Sequence, residues 1–155
     1  MTKLQDNLKQ LQDYAKNLEK AKRGYVAVGL PQEKVGDKIY GDGMSVVQVG
    51  AMHEYGFGNN PVRSFLRIPM QLHADQINEF ISEQFAKVFK GESAEKALGL
   101  VGINARNISV DAFSTGGYGT WTPISPATAK AKGSSAPLID TGTLRNSITY
   151  VVRGI

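Results

Sequence analysis

Ser93-Ala94-Glu95-Lys96-Ala97-Leu98-Gly99-Leu100-Val101-Gly102-Ile103-Asn104-Ala105-Arg106-Asn107-Ile108-Ser109-Val110-Asp111-Ala112 is the stretch that decides the fold. Ser93 can accept the free backbone N–H groups of a first helical turn. Behind it Ala94, Leu98, Val101, Ala105, Ile108 and Ala112 recur at steps of three and four residues. A stripe that mixes alanines with larger side chains suits a helix over about 93–113 that its neighbours approach closely. Just before it, Ile77, Phe80, Ile81, Gln84, Phe85, Val88 and Phe89 keep the same period from about Met70, and Lys90-Gly91 ends the pattern. Two long helices, 70–89 and 93–113, are therefore the expected core.

The flanks supply strands. Tyr25-Val26-Ala27-Val28-Gly29-Leu30 is rich in β-branched and aromatic residues and stops at Pro31, while Ser147-Ile148-Thr149-Tyr150-Val151-Val152-Arg153 alternates in strand fashion. The expected fold is α+β: a small antiparallel β-sheet of 25–30 and 147–153 packed against the two long helices. A peripheral amphipathic N-terminal helix precedes it. Leu4, Leu8, Leu11, Ala15 and Leu18 form one narrow stripe from about Thr2 to Lys22, ended by Gly24, to be buried on the domain or in a seam with another copy.

Connecting stretches are less decisive. Residues 31–43 carry Pro31, Gly36, Gly41 and Gly43 and read as loop, with a short edge strand at Lys38-Ile39-Tyr40 as an option. From Ser45, the valines suit a strand, whereas a Ser cap followed by Val46, Val49 and His53 suits a helix; period alone does not choose. Asn59 to Ser64 reads as an extended connector, because Pro61 disfavours a helical residue before it. Residues 114–136 are rich in Gly, Ser, Thr and Pro around a short helical Pro126-Ala127-Thr128-Ala129-Lys130. They read as a long mobile loop carrying Trp121, the one tryptophan. Asp140 to Asn146 reads as a turn or single helical turn capped by Asp140-Thr141.

Composition narrows the chemistry. A chain of 155 residues, 41% hydrophobic and 21% charged, is the size and make-up of a single globular domain, 1–155. With no cysteine, disulfides, thiolate zinc sites and cysteine nucleophiles are excluded. No apolar run reaches the roughly 18 to 20 residues of a membrane-spanning helix, and the start lacks a secretory leader's apolar core, so a cytoplasmic protein with no membrane partner is expected. His53-Glu54 has no second histidine four residues on, no Gly-x-Ser-x-Gly elbow occurs, and neither Gly56-Phe57-Gly58 nor Gly116-Gly117-Tyr118-Gly119 continues into a phosphate-binding fingerprint. No catalytic or metal site and no cofactor is expected. The net charge of +4 is concentrated at the two ends: residues 1–23 hold six basic against three acidic groups, and residues 120–155 four against one. That distribution suits nucleic acid, an anionic surface or an acidic partner, or a solvated surface.

Two stretches are more specific. His53-Glu54-Tyr55-Gly56 is followed by Pro61-Val62-Arg63-Ser64-Phe65-Leu66-Arg67-Ile68-Pro69. Trp121-Thr122-Pro123-Ile124-Ser125-Pro126-Ala127-Thr128 is followed by Pro137-Leu138-Ile139-Asp140-Thr141-Gly142-Thr143-Leu144-Arg145-Asn146-Ser147-Ile148. The spans that contain them, 53–69 and 121–148, cover 45 of the 155 residues. They resemble the tailed-bacteriophage neck and tail-completion family of virion-morphogenesis and head–tail joining proteins. In that family a Glu-Tyr/Phe-Gly turn precedes Pro-x-Arg-x-Phe-Leu, and Trp-x-Pro-Leu-Ser-x-x-Thr precedes Asp-Thr-Gly-x-Leu-Arg. In many relatives the Thr-Gly-x-Leu-Arg segment comes first; the order here is reversed, as in a subfamily of that arrangement. The resemblance also favours a helix over 45–55.

What the resemblance implies is a non-enzymatic structural subunit of the virion, assembled in the host cytoplasm. It would form a homo-oligomeric ring of six or twelve copies that joins the head connector to the tail. Its partners would be neighbouring neck, adaptor or tail-tube proteins, with DNA passing through the channel without sequence specificity. The nearest variant is a tail terminator capping the tail tube. A reading from another class is a basic nucleic-acid-binding domain in which Lys16, Lys20, Lys22 and Arg23 contact phosphates. Expected interaction residues are Arg63, Phe65, Leu66, Arg67, Leu144 and Arg145 in the motifs, the same four cations, and Trp121. Phe65 and Leu66 would anchor in the core while Arg63 and Arg67 project polar ends. The loop around Trp121 would leave the indole partly wet until a neighbouring subunit orders it, the alternative being that Trp121 plugs the core of its own domain.

Overall fold

Ala94–Thr115 form a 22-residue helix in the computed structural model, and Ala94, Leu98, Val101, Ala105, Ile108 and Ala112 of the stripe are all buried. The structure describes residues 2–37, 39–138 and 142–155. In chain order the elements are α1 (Lys3–Arg23), β1 (Tyr25–Gly29), α2 (Gln32–Val35), α3 (Val46–Tyr55), α4 (Arg67–Leu72), α5 (Ala74–Phe89), α6 (Ala94–Thr115), α7 (Pro126–Lys132), α8 (Thr143–Ser147) and β2 (Thr149–Arg153). The fold is mixed helix and strand.

β1 and β2 pair antiparallel, from Tyr25 opposite Arg153 to Gly29 opposite Thr149. Both strands pack on α6, where Gly102 leaves room for the Tyr150 ring. The expected cover of two long helices is met in part. α6 is the helix against the sheet, and α5 packs against α6 and α1 instead. α6 can serve both neighbours because small residues surround its axis, so more than one of its faces is apolar. The expected helix 70–89 is also interrupted: the chain leaves helical geometry at His73 (φ −109°, ψ 19°), which separates α4 from α5. The apolar period continues across that break, and this is why periodicity did not reveal it.

Local caps account for the other helices. Ser45 and Gln48 form a reciprocal capping box, which places 46–55 in a helix rather than a strand. Its inward residues are Val46, Gly50 and Glu54, not the Val46–Val49–His53 row. Thr2 and Gln5 form the same box on α1. From Tyr14 onward α1 is tied to the body: the Tyr14 hydroxyl donates to the Phe89 carbonyl, and the Asn17 side chain donates to Glu92 O and accepts from Ala94 N. Leu18 and Ala21 then pack with Phe85 and Val88. Ahead of that point Leu4, Leu8 and Leu11 are 68%, 51% and 65% exposed.

The expectation that Trp121 is partly wet, in a stretch that is loop from residue 114, is corrected as well. α6 continues to Thr115, Gly116 closes it in left-handed geometry, and Trp121 is 7% exposed. Gly117 (φ 67°) lies directly against the indole, where a Cβ would collide with the ring. The Tyr118 hydroxyl donates to Ile108 O, and Ser125 caps α7. Pro126 to Lys132 is thus helical slightly beyond the expected 126–130. Ile39 makes only an isolated bridge with Ser45; Lys38, the start of the optional edge strand, lies outside the described residues, as do Asp140 and Thr141 of the expected cap. At α8 the cap position is Gly142 (φ 74°), with no side-chain cap bond. Strand β2 begins at Thr149 because Ser147 closes α8. Among the described residues no helix is long and apolar enough to cross a membrane.

Candidate functional site

The first motif-bearing stretch folds around one buried carboxylate, and the second is tied to it through Arg63 and Trp121. Val46, Gly50 and Glu54 follow each other at steps of four on the inner side of α3, and this spacing carries Glu54 inward with its apolar neighbours. Glu54 is 4% exposed. One oxygen, Oε1, accepts from Ser64 Oγ at 2.6 Å and from Arg67 N at 2.9 Å. The other accepts from Phe65 N at 2.9 Å and Leu66 N at 3.0 Å. A buried carboxylate needs such partners, since an unpaired charge would lose its hydration without replacement. The consequence for the chain is geometric: three successive N–H groups are gathered on one side, and the turn that starts α4 is set.

The backbone around this carboxylate is held from the other side by α6 and by the stretch after it. Ser109 Oγ donates to Phe65 O at 2.6 Å, Trp121 Nε1 donates to Ser64 O at 2.9 Å, and Ser64 Oγ accepts from Ile68 N. Arg63 is 7% exposed. Its N–H donates to His53 O, its Nε to Thr122 O at 2.9 Å, and its Nη2 to Pro123 O. Burial pushes the Arg63 pKa down, but from an ordinary value so high that the guanidinium keeps its charge. The expectation that Arg63 projects a polar end is therefore corrected: it points inward and spends its donors on carbonyls of the second motif.

Apolar contacts complete the knot. The Phe65 and Phe113 rings lie 5.5 Å apart, and Trp121 meets Phe113 edge-on at 5.5 Å. Leu144 and Ile148 of the second motif belong to the same core, and Leu66 packs at its margin. Of the expected residues the structure thus gathers Arg63, Phe65, Leu66, Trp121 and Leu144. Arg67 is exposed, its guanidinium 5.6 Å from the Tyr55 ring centre, and Arg145 is exposed on α8. Lys16, Lys20, Lys22 and Arg23 lie exposed on α1, away from this cluster.

Sequence reading passed over Glu54, Ser64 and Ser109. The signal for Glu54 was the step of four from Val46 through Gly50, masked by the competing row that ends at His53. His53 itself sits beside the knot, and its Nδ1 is buried without a hydrogen-bond partner among the described residues. Burial first, then the nearby positive charges of Arg63 and Lys132, hold its pKa below the ordinary histidine value. Carboxylate, hydroxyls, indole and guanidinium in this cluster all spend their hydrogen bonds on neighbouring backbone or on each other, so the arrangement fixes geometry. Compared with family models, with curated proteins and with solved structures, the chain matches none.

Proposed function

We propose that this chain is a non-enzymatic structural subunit of a tailed-phage particle, a neck or tail-completion protein. It would sit as a ring of six or twelve copies between head connector and tail, in contact with adaptor or tail-tube proteins and with DNA passing through the channel. One observation carries the reading. The two stretches that resemble that family, 53–69 and 121–148, fold onto each other through Arg63 and Trp121. Motifs that share one buried knot belong to one architecture, and a knot whose polar groups serve the backbone is suited to shape rather than turnover. The finer fold description, α+β with a peripheral N-terminal helix, belongs to this reading. A terminator that caps the tail tube is its closest variant.

Immunogold electron microscopy of the particle that contains this protein tests the placement. Label at the junction of head and tail, or at the tail end, is expected; label confined to fibres or to the capsid surface would overturn it. The basic row on α1 favours a second reading, a nucleic-acid-binding domain. Its test is a gel shift of the isolated protein across salt concentrations, because phosphate contacts release counterions and make affinity fall steeply with salt. Nanomolar, salt-sensitive binding to duplex DNA would favour that reading.

A further inference from the structure

One side of α1 carries Lys9, Lys16, Lys20 and Arg23, all exposed, the last three bordering a shallow groove with Glu19, Gly154 and Ile155. The outward side of α5 carries Asp75, Glu79 and Glu83 at steps of four, also exposed. Among the described residues the ion pairs are Arg23–Glu19, Lys96–Glu92 and Arg153–Glu33. Lys16, Lys20 and the three α5 carboxylates are in none of them. The rows also match in reach: at 1.5 Å per residue, Lys16 to Arg23 spans about 10 Å and Asp75 to Glu83 about 12 Å.

Within one chain these rows cannot meet. α1 touches α5 through Tyr14, Leu18 and Ala21 on one side and Phe85, Val88 and Phe89 on the other, which are different helical faces from the charged rows. We propose that the basic row of α1 in one copy docks on the acidic row of α5 in a second copy of this chain. The contact uses two different faces, so it is heterologous: it closes into a ring when the rotation allows and runs on as a filament when it does not. DNA phosphates would engage the cations but leave the acidic row unused, whereas a second copy engages both rows.

The inference rests on the ring reading above and supplies the two patches that a ring needs. Exposed ion pairs are individually weak and screened by salt, so association through them falls steeply as salt rises. The test is sedimentation velocity of the full chain at low and high salt. It compares wild type, Lys16→Glu/Lys20→Glu, Glu79→Lys/Glu83→Lys, and an equimolar mixture of the two variants. All four substitutions are at exposed positions, and circular dichroism checks that helix content is kept.

Expected are salt-sensitive self-association of the wild type, a loss of about tenfold or more in association constant for each variant alone, and recovery in the mixture. In the mixture each reversed row faces a row of the opposite sign. Wild type that stays monomeric at low salt, association unchanged in either variant, or a mixture no better than its components would each overturn the interface. Duplex-DNA anisotropy supplies the remaining outcome: if Lys16→Glu/Lys20→Glu abolishes DNA binding and leaves self-association intact, the row is a phosphate-contact surface and the interface is wrong. A ring that persists in both variants would keep the ring and discard this contact. Microscopy that places the protein elsewhere would discard the neck and leave this contact standing.

Discussion

Four donors converge on the Glu54 carboxylate, and three of them are backbone amides. Glu54→Gln keeps the shape but turns an NH2 toward N–H donors, so at least one oxygen's pair of bonds is lost and donors face each other. With bonds to a charged group contributing about 1.5–3 kcal/mol each, we expect urea unfolding to show a loss of about 3–6 kcal/mol; a loss under about 0.5 kcal/mol would mean the clamp does not set stability. Trp121→Ala should cost about 3–5 kcal/mol in the isolated protein, as a buried large-to-small change does, and a near-silent variant in thermal unfolding would contradict the buried indole. His53 adds a pH dependence whose sign follows from its lowered pKa. Above pH 6.5, its ordinary value, the side chain is neutral in both states. As pH falls below that value the unfolded chain takes up the proton first, so stability declines until the folded-state pKa is passed. Denaturation midpoints measured from pH 8 to 5 should fall in wild type, and His53→Gln should flatten the part of that fall due to this group.

At the level of elements, the contact between α6 and the sheet depends on an absence. A Cβ at Gly102 would overlap the Tyr150 ring, so Gly102→Ala must displace β2 or rotate the tyrosine, and overpacking of this kind costs about 1–3 kcal/mol. Chemical denaturation is the check, and an unchanged or raised midpoint would show that Tyr150 moves freely. How much of this was legible in the sequence differs from element to element for physical reasons. α6 and α1 declared themselves because caps and a sustained period are local properties of consecutive residues. The strand pair was legible from composition and alternation. The break at His73 was not, since the apolar period runs through it and the interruption is made by backbone geometry. Nor was the inward turn of Arg63 and Trp121, because both are set by partners 57 or more residues away, Ser64 O for the indole and Thr122 O for the guanidinium. Glu54 and Ser64 stand inside the first quoted stretch, but nothing in the local pattern marks Glu54 as an acceptor for four donors.

Across the whole molecule, cohesion is graded. α6 is in contact with α1, α4, α5, α8 and both strands, while residues 3–13 of α1 are exposed throughout. Local opening therefore has very different free energies in different places, and deuterium uptake followed over time offers a direct map of it. The first turns of α1 should take up the isotope early. Phe65 and Leu66 invite the opposite expectation from their surroundings: they lie in neither helix nor strand, and a connector of that kind ordinarily exchanges fast. Their amide protons, however, are engaged by Glu54, and freeing them means drawing a carboxylate out of the core together with the indole and guanidinium that brace it. These two amides should retain their protons as long as the centre of α6 does. Uptake at Phe65 and Leu66 as early as at Val62 would contradict this. The slowest clock in the chain would then be kept partly by residues outside any regular element, timed by a single side chain of α3.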